Sequence, residues 1–259
     1  MNGLVVITGA NGQLGSSLAK AWAGGKQRLL LLFHRDTKRI DQLRGLPGIC
    51  LKSCNLMELT ALKTALEEGC QELSAQPTGL VHCAAIRSSD AKTLAESDPK
   101  MFDEVFNSNV TMAYNAVRAC LPGMLERKFG RLLLLGSNVV QTGLPSGSAY
   151  AAAKAAIVNL VRSVALEAAP SNVLINAISP APIETDLEAD YQGEYLAFRQ
   201  RYFETYKKMS PTGKLISLEE LRLTIEFLLD SGLQNLTGQN IILDGGLSAP
   251  ILGSPNSAT

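Results

Sequence analysis

The chain reads as α/β, a doubly wound parallel sheet with helices on both faces, and three observations lead there. Short Leu-rich or β-branched runs alternate with longer helical patterns from end to end. Each run is nearly continuous in apolar character, as expected of parallel strands covered on both faces. Strands separated by helices imply right-handed crossovers.

The elements follow in order. Leu-Val-Val-Ile-Thr makes a first strand over 4–8, which feeds a glycine-bearing turn and a helix over 13–23. A Leu-rich strand at 28–33 precedes a helix at 37–44, and a strand at 49–53 precedes a helix at 57–75. The apolar runs 79–83 and 131–135 bracket a long helix at 99–127. Strand 173–178 follows a helix at 149–168 built on small residues, and a helix at 218–230 leads to a last strand at 240–243. Without internal repeats or linkers this is one domain over 1–252, with a Gly, Pro and Ser-rich tail at 253–259.

The composition excludes several functions. The chain has 259 residues, 24 Lys+Arg and 24 Asp+Glu, so it lacks the broad positive charge of non-specific nucleic-acid binding or a polybasic membrane patch. The two histidines form no HExxH, there is no GxSxG, and no metal site is expected. Cys50, Cys54, Cys70, Cys83 and Cys120 form no CxxC and suit free thiols in a reducing compartment. The N-terminus carries no basic n-region, and no apolar stretch is expected to approach the ~18 residues of a membrane span. The expectation is a soluble, cytoplasmic protein.

Segment 182–214 breaks the alternation. It holds no strand pattern but gathers Tyr191, Tyr195, Phe198, Tyr202, Phe203 and Tyr206. Positions 191, 195, 198, 202 and 206 share one helical face. Such a face packs on the core or on a neighbouring subunit, or else forms a mobile lid that gives a substrate an apolar wall.

Three constellations carry chemistry. After the first strand comes Thr8-Gly9-Ala10-Asn11-Gly12-Gln13-Leu14-Gly15 and then a helix. Glycines there let backbone approach a pyrophosphate, and the helix start offers free N–H groups. The second strand ends in Phe33-His34-Arg35-Asp36, where an acid would hold the ribose of NAD. Arg35, assisted by His34, can instead pair a 2′-phosphate, which favours NADP(H) over NAD(H). The other reading makes Arg35 and Lys38 solvated charges and gives the ribose to Asp36.

The third constellation is Ser137, Tyr150 and Lys154. A Tyr-x-x-x-Lys is common by chance, but here it opens an Ala-rich helix that places both side chains on one face. Ser137 ends the preceding strand, at the carboxyl edge where such sheets bind ligands. A free tyrosine has a pKa of about 10, too high for acid–base work at neutral pH. An ammonium roughly 4 Å away is worth up to ~4 kcal/mol at an effective dielectric near 20, about three pKa units before solvation costs. The bland alternative is a lysine on a solvated helix face.

These residues resemble the short-chain dehydrogenase/reductase family, from the start of the chain to about Leu247 and closest to its compact 3-oxoacyl-ACP reductase-like members. The resemblance implies a Rossmann-like sheet of seven strands and a Ser-Tyr-Lys active site completed by Asn109, which bends its helix and holds a relay water. It places cofactor contacts at the glycine turn, at Ala84 and Ala85, at Pro180, and at Ile183 and Thr185. Leu243-Asp244-Gly245-Gly246 is similar to the family's closing strand and turn.

Four departures stand out. The glycine spacing is TGxxGxxG, usual in extended epimerases and dehydratases. The usual Asn-Asn-Ala-Gly reads His82-Cys83-Ala84-Ala85, and the usual Pro-Gly reads Pro180-Ala181. Both replacements put Ala, which resists φ > 0, where the family has Gly. The acid commonly found near the adenine is Asn55, followed by Leu56. His82 and Cys83 read as satisfied core or cofactor-contact groups, and Cys50 and Cys54 as core thiols.

The expected function is NAD(P)H-dependent reduction of a ketone, or oxidation of a secondary alcohol in reverse, on an apolar or ring-bearing small molecule. The rivals are an NAD-retaining epimerase or dehydratase and a silent cofactor-binding scaffold or sensor. The resemblance also implies a homodimer or homotetramer made by pairing the helices at 99–127 and 149–168.

Overall fold

A computed structural model describes residues 3–87 and 91–249. The tail expected at 253–259 lies outside them. Seven strands form one all-parallel sheet: β1 (Leu4–Thr8), β2 (Arg28–Phe33), β3 (Ile49–Ser53), β4 (Pro77–His82), β5 (Gly130–Leu135), β6 (Val173–Pro180) and β7 (Asn240–Leu243). Their order is β3-β2-β1-β4-β5-β6-β7. The helices are α1 (Gln13–Trp22), α2 (Leu59–Leu73), α3 (Pro99–Glu126), α4 (Val139–Thr142), α5 (Ser148–Ala168), α6 (Gly193–Met209) and α7 (Leu218–Leu229).

Alternation along each strand divides the core into two layers. Leu4, Val6, Leu30, Leu32, Leu80, Leu132, Leu134 and Ile175 face α2, α3 and α5. Val5, Ile7, Leu29, Leu31, Val81, Leu133 and Ile178 face α1 and α7, through Leu18, Trp22, Leu221, Ile225 and Leu228. Every central strand is therefore apolar on both faces, and no strand reads as polar/apolar alternation.

The helix expected at 37–44 shrinks to one 3-10 turn over Asp41–Leu43. The amides of Ile40 and Asp41 both return to Thr37 O at 2.8 Å as an isolated turn, and Arg39 N is tied outside the segment, to Asn11 Oδ1 at 2.8 Å. Gly45 and Gly48, both at positive φ, then end any continuation. The sequence also gave no sign of α4, a single turn closed by Gly143 at φ 72°.

Ser148–Ser171 is long and apolar enough to cross a bilayer, with a mean hydropathy of 1.3, which corrects the expectation that no stretch approaches such a length. Half of it is buried within the fold, against β5, β6 and α3.

At the amino-terminal edge of the sheet, the fully buried Arg131 donates to five carbonyls: Gly130, Asn172, Asp230, Ser231 and Leu233. It ties the starts of β5 and β6 to the chain leaving α7. Arg131→Leu would strand those acceptors. The expected loss is about 3 kcal/mol, read as a lower denaturant midpoint at unchanged m.

Candidate active site

The carboxyl ends of β1, β4, β5 and β6 open on one cavity of about 220 Å³. Ser137, Tyr150 and Lys154 all line it. The turn carrying Ser137 is pinned to β6, with Gly136 N donating to Ile178 O at 2.8 Å and Asn138 N to Pro180 O at 3.0 Å. Tyr150 and Lys154 lie one turn apart at the start of α5, as their spacing predicts.

Lys154 is 1% exposed, donates to Leu135 O at 2.6 Å and lies 5.5 Å from the Tyr150 ring centre. Its pKa is lowered, by burial first, with Tyr150 opposing and Arg87 adding. For Tyr150 burial acts upward, but Arg87, Lys154 and Arg199 together prevail, and the Ser137 hydroxyl adds to them. The phenol is held below its ordinary value.

Asn109 sits one layer back. It is fully buried, donates to Ile86 O and Val105 O, both at 2.7 Å, and accepts from Ile86 N at 3.1 Å. It does not line the cavity. It fixes the loop after β4 rather than facing the other three.

Among the expected cofactor contacts, Gln13, Leu14, Ala85, Pro180, Ile183 and Thr185 line the cavity with Tyr150 and Lys154. Gly9, Asn11, Gly12, Gly15 and Ala84 lie on the same loops but outside that lining. His34 and Arg35 are exposed at the end of β2, and Asn55 is exposed after β3. Leu56 turns into the core, and its carbonyl accepts from Asn115 Nδ2 at 2.9 Å. Asp36 accepts from Asn11 Nδ2 at 3.1 Å and from Lys38 N at 2.8 Å. The latter bond leads in lowering its pKa. Ala85 and Ala181, the two residues that stand where the family has Gly, keep negative φ and so carry no left-handed strain.

Sequence reasoning missed Arg87, Asp190 and Arg199. The Asp190 carboxylate accepts from Gln13 Nε2 at 2.6 Å and from Arg39 Nη2 at 2.7 Å, clasping the segment after β6 to the glycine turn. Arg199 interrupts the aromatic face of α6 at a position that shares that face with Tyr195 and Tyr202. Reading the stripe for charge as well as rings would have found it. That helix begins at Gly193, so Tyr191 precedes it, while Phe203 and Tyr206 are buried.

All five cysteines are free thiols. Burial pushes Cys83, on the cavity wall, up to about 12. His82 is fully buried, with Nδ1 2.8 Å from Thr8 Oγ1. Burial first, then Lys154, push its pKa from 6.5 down to about 3. The unfolded chain thus binds a proton near pH 6.5 that the folded chain refuses until about pH 3. Stability is whole above that window and falls on acidification by about 1.4 kcal/mol per pH unit within it. His82→Asn should make the acid limb of Tm against pH less steep. An unchanged limb would remove His82 as its source.

Comparison with known proteins follows the same lines. A family model described as Enoyl-(Acyl carrier protein) reductase matches residues 9–248. The chain is 29% identical to 2-(S)-hydroxypropyl-CoM dehydrogenase 3 of Xanthobacter autotrophicus, covering 96% of this chain and 97% of that protein. It is 27% identical to the 3-oxoacyl-[acyl-carrier-protein] reductase MabA of Mycobacterium tuberculosis, covering 94% and 92%. The crystal structure of levodione reductase has the same fold, with a TM-score of 0.85 at 21% identity over 96% of this chain and 98% of that one.

Proposed function

The chain belongs to the short-chain dehydrogenase/reductase family of oxidoreductases, and from that premise we propose that it is a ketoreductase that uses NADP(H) in preference to NAD(H) and, in reverse, oxidises a secondary alcohol. The observation that carries this reading is the convergence of Ser137, Tyr150 and Lys154 on one cavity, with the phenol pKa lowered.

The glycine turn fits a dinucleotide. Gly9 has φ +64°, and a Cβ there would meet Ala84 N at 2.7 Å, so only Gly lets this turn pack directly on the loop after β4. Gly12 caps α1 without a side chain, which leaves the amides of Gln13, Leu14 and Gly15 free of helical partners. These residues would hold the pyrophosphate, with Ala84, Ala85, Pro180, Ile183 and Thr185 towards the nicotinamide. Arg35 and His34 would meet the 2′-phosphate, and Asn55 and the backbone at Leu56 the adenine. When bound, the cofactor supplies the hydride.

The carbonyl carbon gains that hydride, and its oxygen gains a proton from Tyr150 Oη. Ser137 orients the oxygen by hydrogen bonding, as the C–O bond polarises. Lys154 and Arg87 stabilise the phenolate left behind. Asn109 keeps the loop after β4 in place. Segment 182–214 serves as the lid over the site. The directions of pH dependence are opposite: alcohol oxidation needs the phenolate and rises with pH through the lowered Tyr150 pKa, whereas ketone reduction falls there.

Asp190 sets a negative charge beside the place where the pyrophosphate would lie. Asp190→Asn should tighten NADPH binding several-fold by fluorescence titration. Weaker binding would show that the clasp builds the site instead of opposing the ligand. The reading as a whole is tested by titrating both reduced cofactors and then a panel of ketones. A protein that consumes neither cofactor with any ketone overturns it.

A homodimer or homotetramer through α3 and α5 is part of the proposal. Tyr114 and Leu166 support it, being 49% and 83% exposed on those helices. Light scattering that shows a monomer at micromolar concentration would refute it.

A further inference from the structure

Two guanidiniums stand on the wall of the cavity with no acid paired to them among the described residues. Arg199 is 4% exposed, and its Nε has no hydrogen-bond partner among the described residues. It lies 5.7 Å from the ring centres of Tyr191 and Tyr202, and 4.9 Å from that of Phe203. Arg87 lies 4.9 Å from the Tyr150 ring centre. Neither makes a hydrogen bond or ion pair among the described residues, and both also border a small void beside Tyr150, Tyr195 and Phe198. With Lys154, the wall therefore carries three cations. Its one acidic side chain among the described residues, Asp190, is already engaged by Arg39 and Gln13.

Burying a charge without a counter-charge costs several kcal/mol, and like charges side by side add to that. Aromatic faces offset only part of that cost. Arg199 feels both penalties, since burial and then Arg87 lower its pKa. The missing charge is negative, and the cavity is the place for it.

We propose that Arg87 and Arg199 form an anion-binding subsite, and that the ketone reduced here carries a carboxylate or another oxyanion a few bonds from its carbonyl. This rests on the reading of the cavity as a ketone-reducing site. Arg87, 4.9 Å from the Tyr150 ring centre, keeps the anion and the carbonyl close together. Tyr191 and Tyr202 lie 5.7 Å from the guanidinium of Arg199, whose unpartnered Nε–H is a donor for an oxyanion. An apolar or ring-bearing body remains compatible, on the aromatic side.

The test compares short 2-oxo and 3-oxo carboxylates with their own methyl esters as substrates, and measures malonate binding by calorimetry as a readout independent of turnover. The wild-type protein is expected to favour acid over ester by about 100-fold in kcat/KM. In Arg199→Met that ratio should collapse towards one and malonate binding weaken at least about tenfold, with Arg199→Lys in between. Arg87→Gln provides the same comparison if Arg199→Met does not fold. Equal use of acid and ester together with no malonate binding overturns the subsite and leaves the guanidiniums as stacked partners of the aromatic rings. Reduction of no ketone, charged or neutral, defeats the ketoreductase reading itself, while malonate binding lost in Arg199→Met would still uphold the subsite.

Discussion

Tyr150→Phe is expected to lower kcat for ketone reduction by about a thousandfold while leaving the fold intact. The ring is 5% exposed and packs beside Val105, Val139 and Ala149, so a Phe keeps the shape and nearly all of the buried area. What leaves is the one acid whose pKa the surrounding cations lower. General acid catalysis is worth roughly 10²–10⁴-fold, and water, with its much higher pKa, is a poor substitute. Stopped-flow hydride transfer, with Tm measured in parallel, separates chemistry from folding. Turnover within threefold of wild type would remove Tyr150 from the reaction.

Lys154→Met should cost about a hundredfold in kcat and move the pH profile upward. Arg87 stands ahead of Lys154 among the cations that lower Tyr150, so the phenol keeps part of its depression when Lys154 goes. The pH midpoint for alcohol oxidation therefore rises only part of the way to that of a free tyrosine. A midpoint that falls, or stays put, would assign Lys154 a structural role through Leu135 O alone. The variant also leaves that carbonyl without its donor, a cost of about 1–3 kcal/mol in stability. Unfolding curves must accompany the kinetics. Lys154→Arg does not rescue, because a planar fork cannot fill the place of a compact ammonium.

The sheet was legible because its strands are buried on both faces. The strands at Arg28–Phe33 and Ile49–Ser53 begin and end where expected, whereas β4 starts two residues before the apolar run at 79–83 and β6 runs on to Pro180. The segment at 37–44 misled because it is too short to propagate: one 3-10 turn runs into Gly45 at φ 79°, and Asn11, in another turn, holds its start through the Arg39 amide. Ser137, Tyr150 and Lys154 could be placed together because two are a helical turn apart and the third ends a strand. Arg87 and Arg199 could not. Their nearness arises when α6 folds back over the loop after β4, and no local spacing records that. The same holds for Asp190, whose partners Gln13 and Arg39 lie far away in sequence.

Arg131 has a consequence for how such a protein changes over generations. Its five carbonyl contacts secure the sheet at the end opposite the cavity. The loops around the cavity are thereby relieved of holding the strands together. Descendants of this chain can rewrite 182–214 in length and composition and acquire new substrates while the scaffold stands. A library randomised at the exposed positions of that segment should yield mostly folded members, whereas the same library built on Arg131→Leu should lose many of them, because a lowered stability reserve leaves less room for further change.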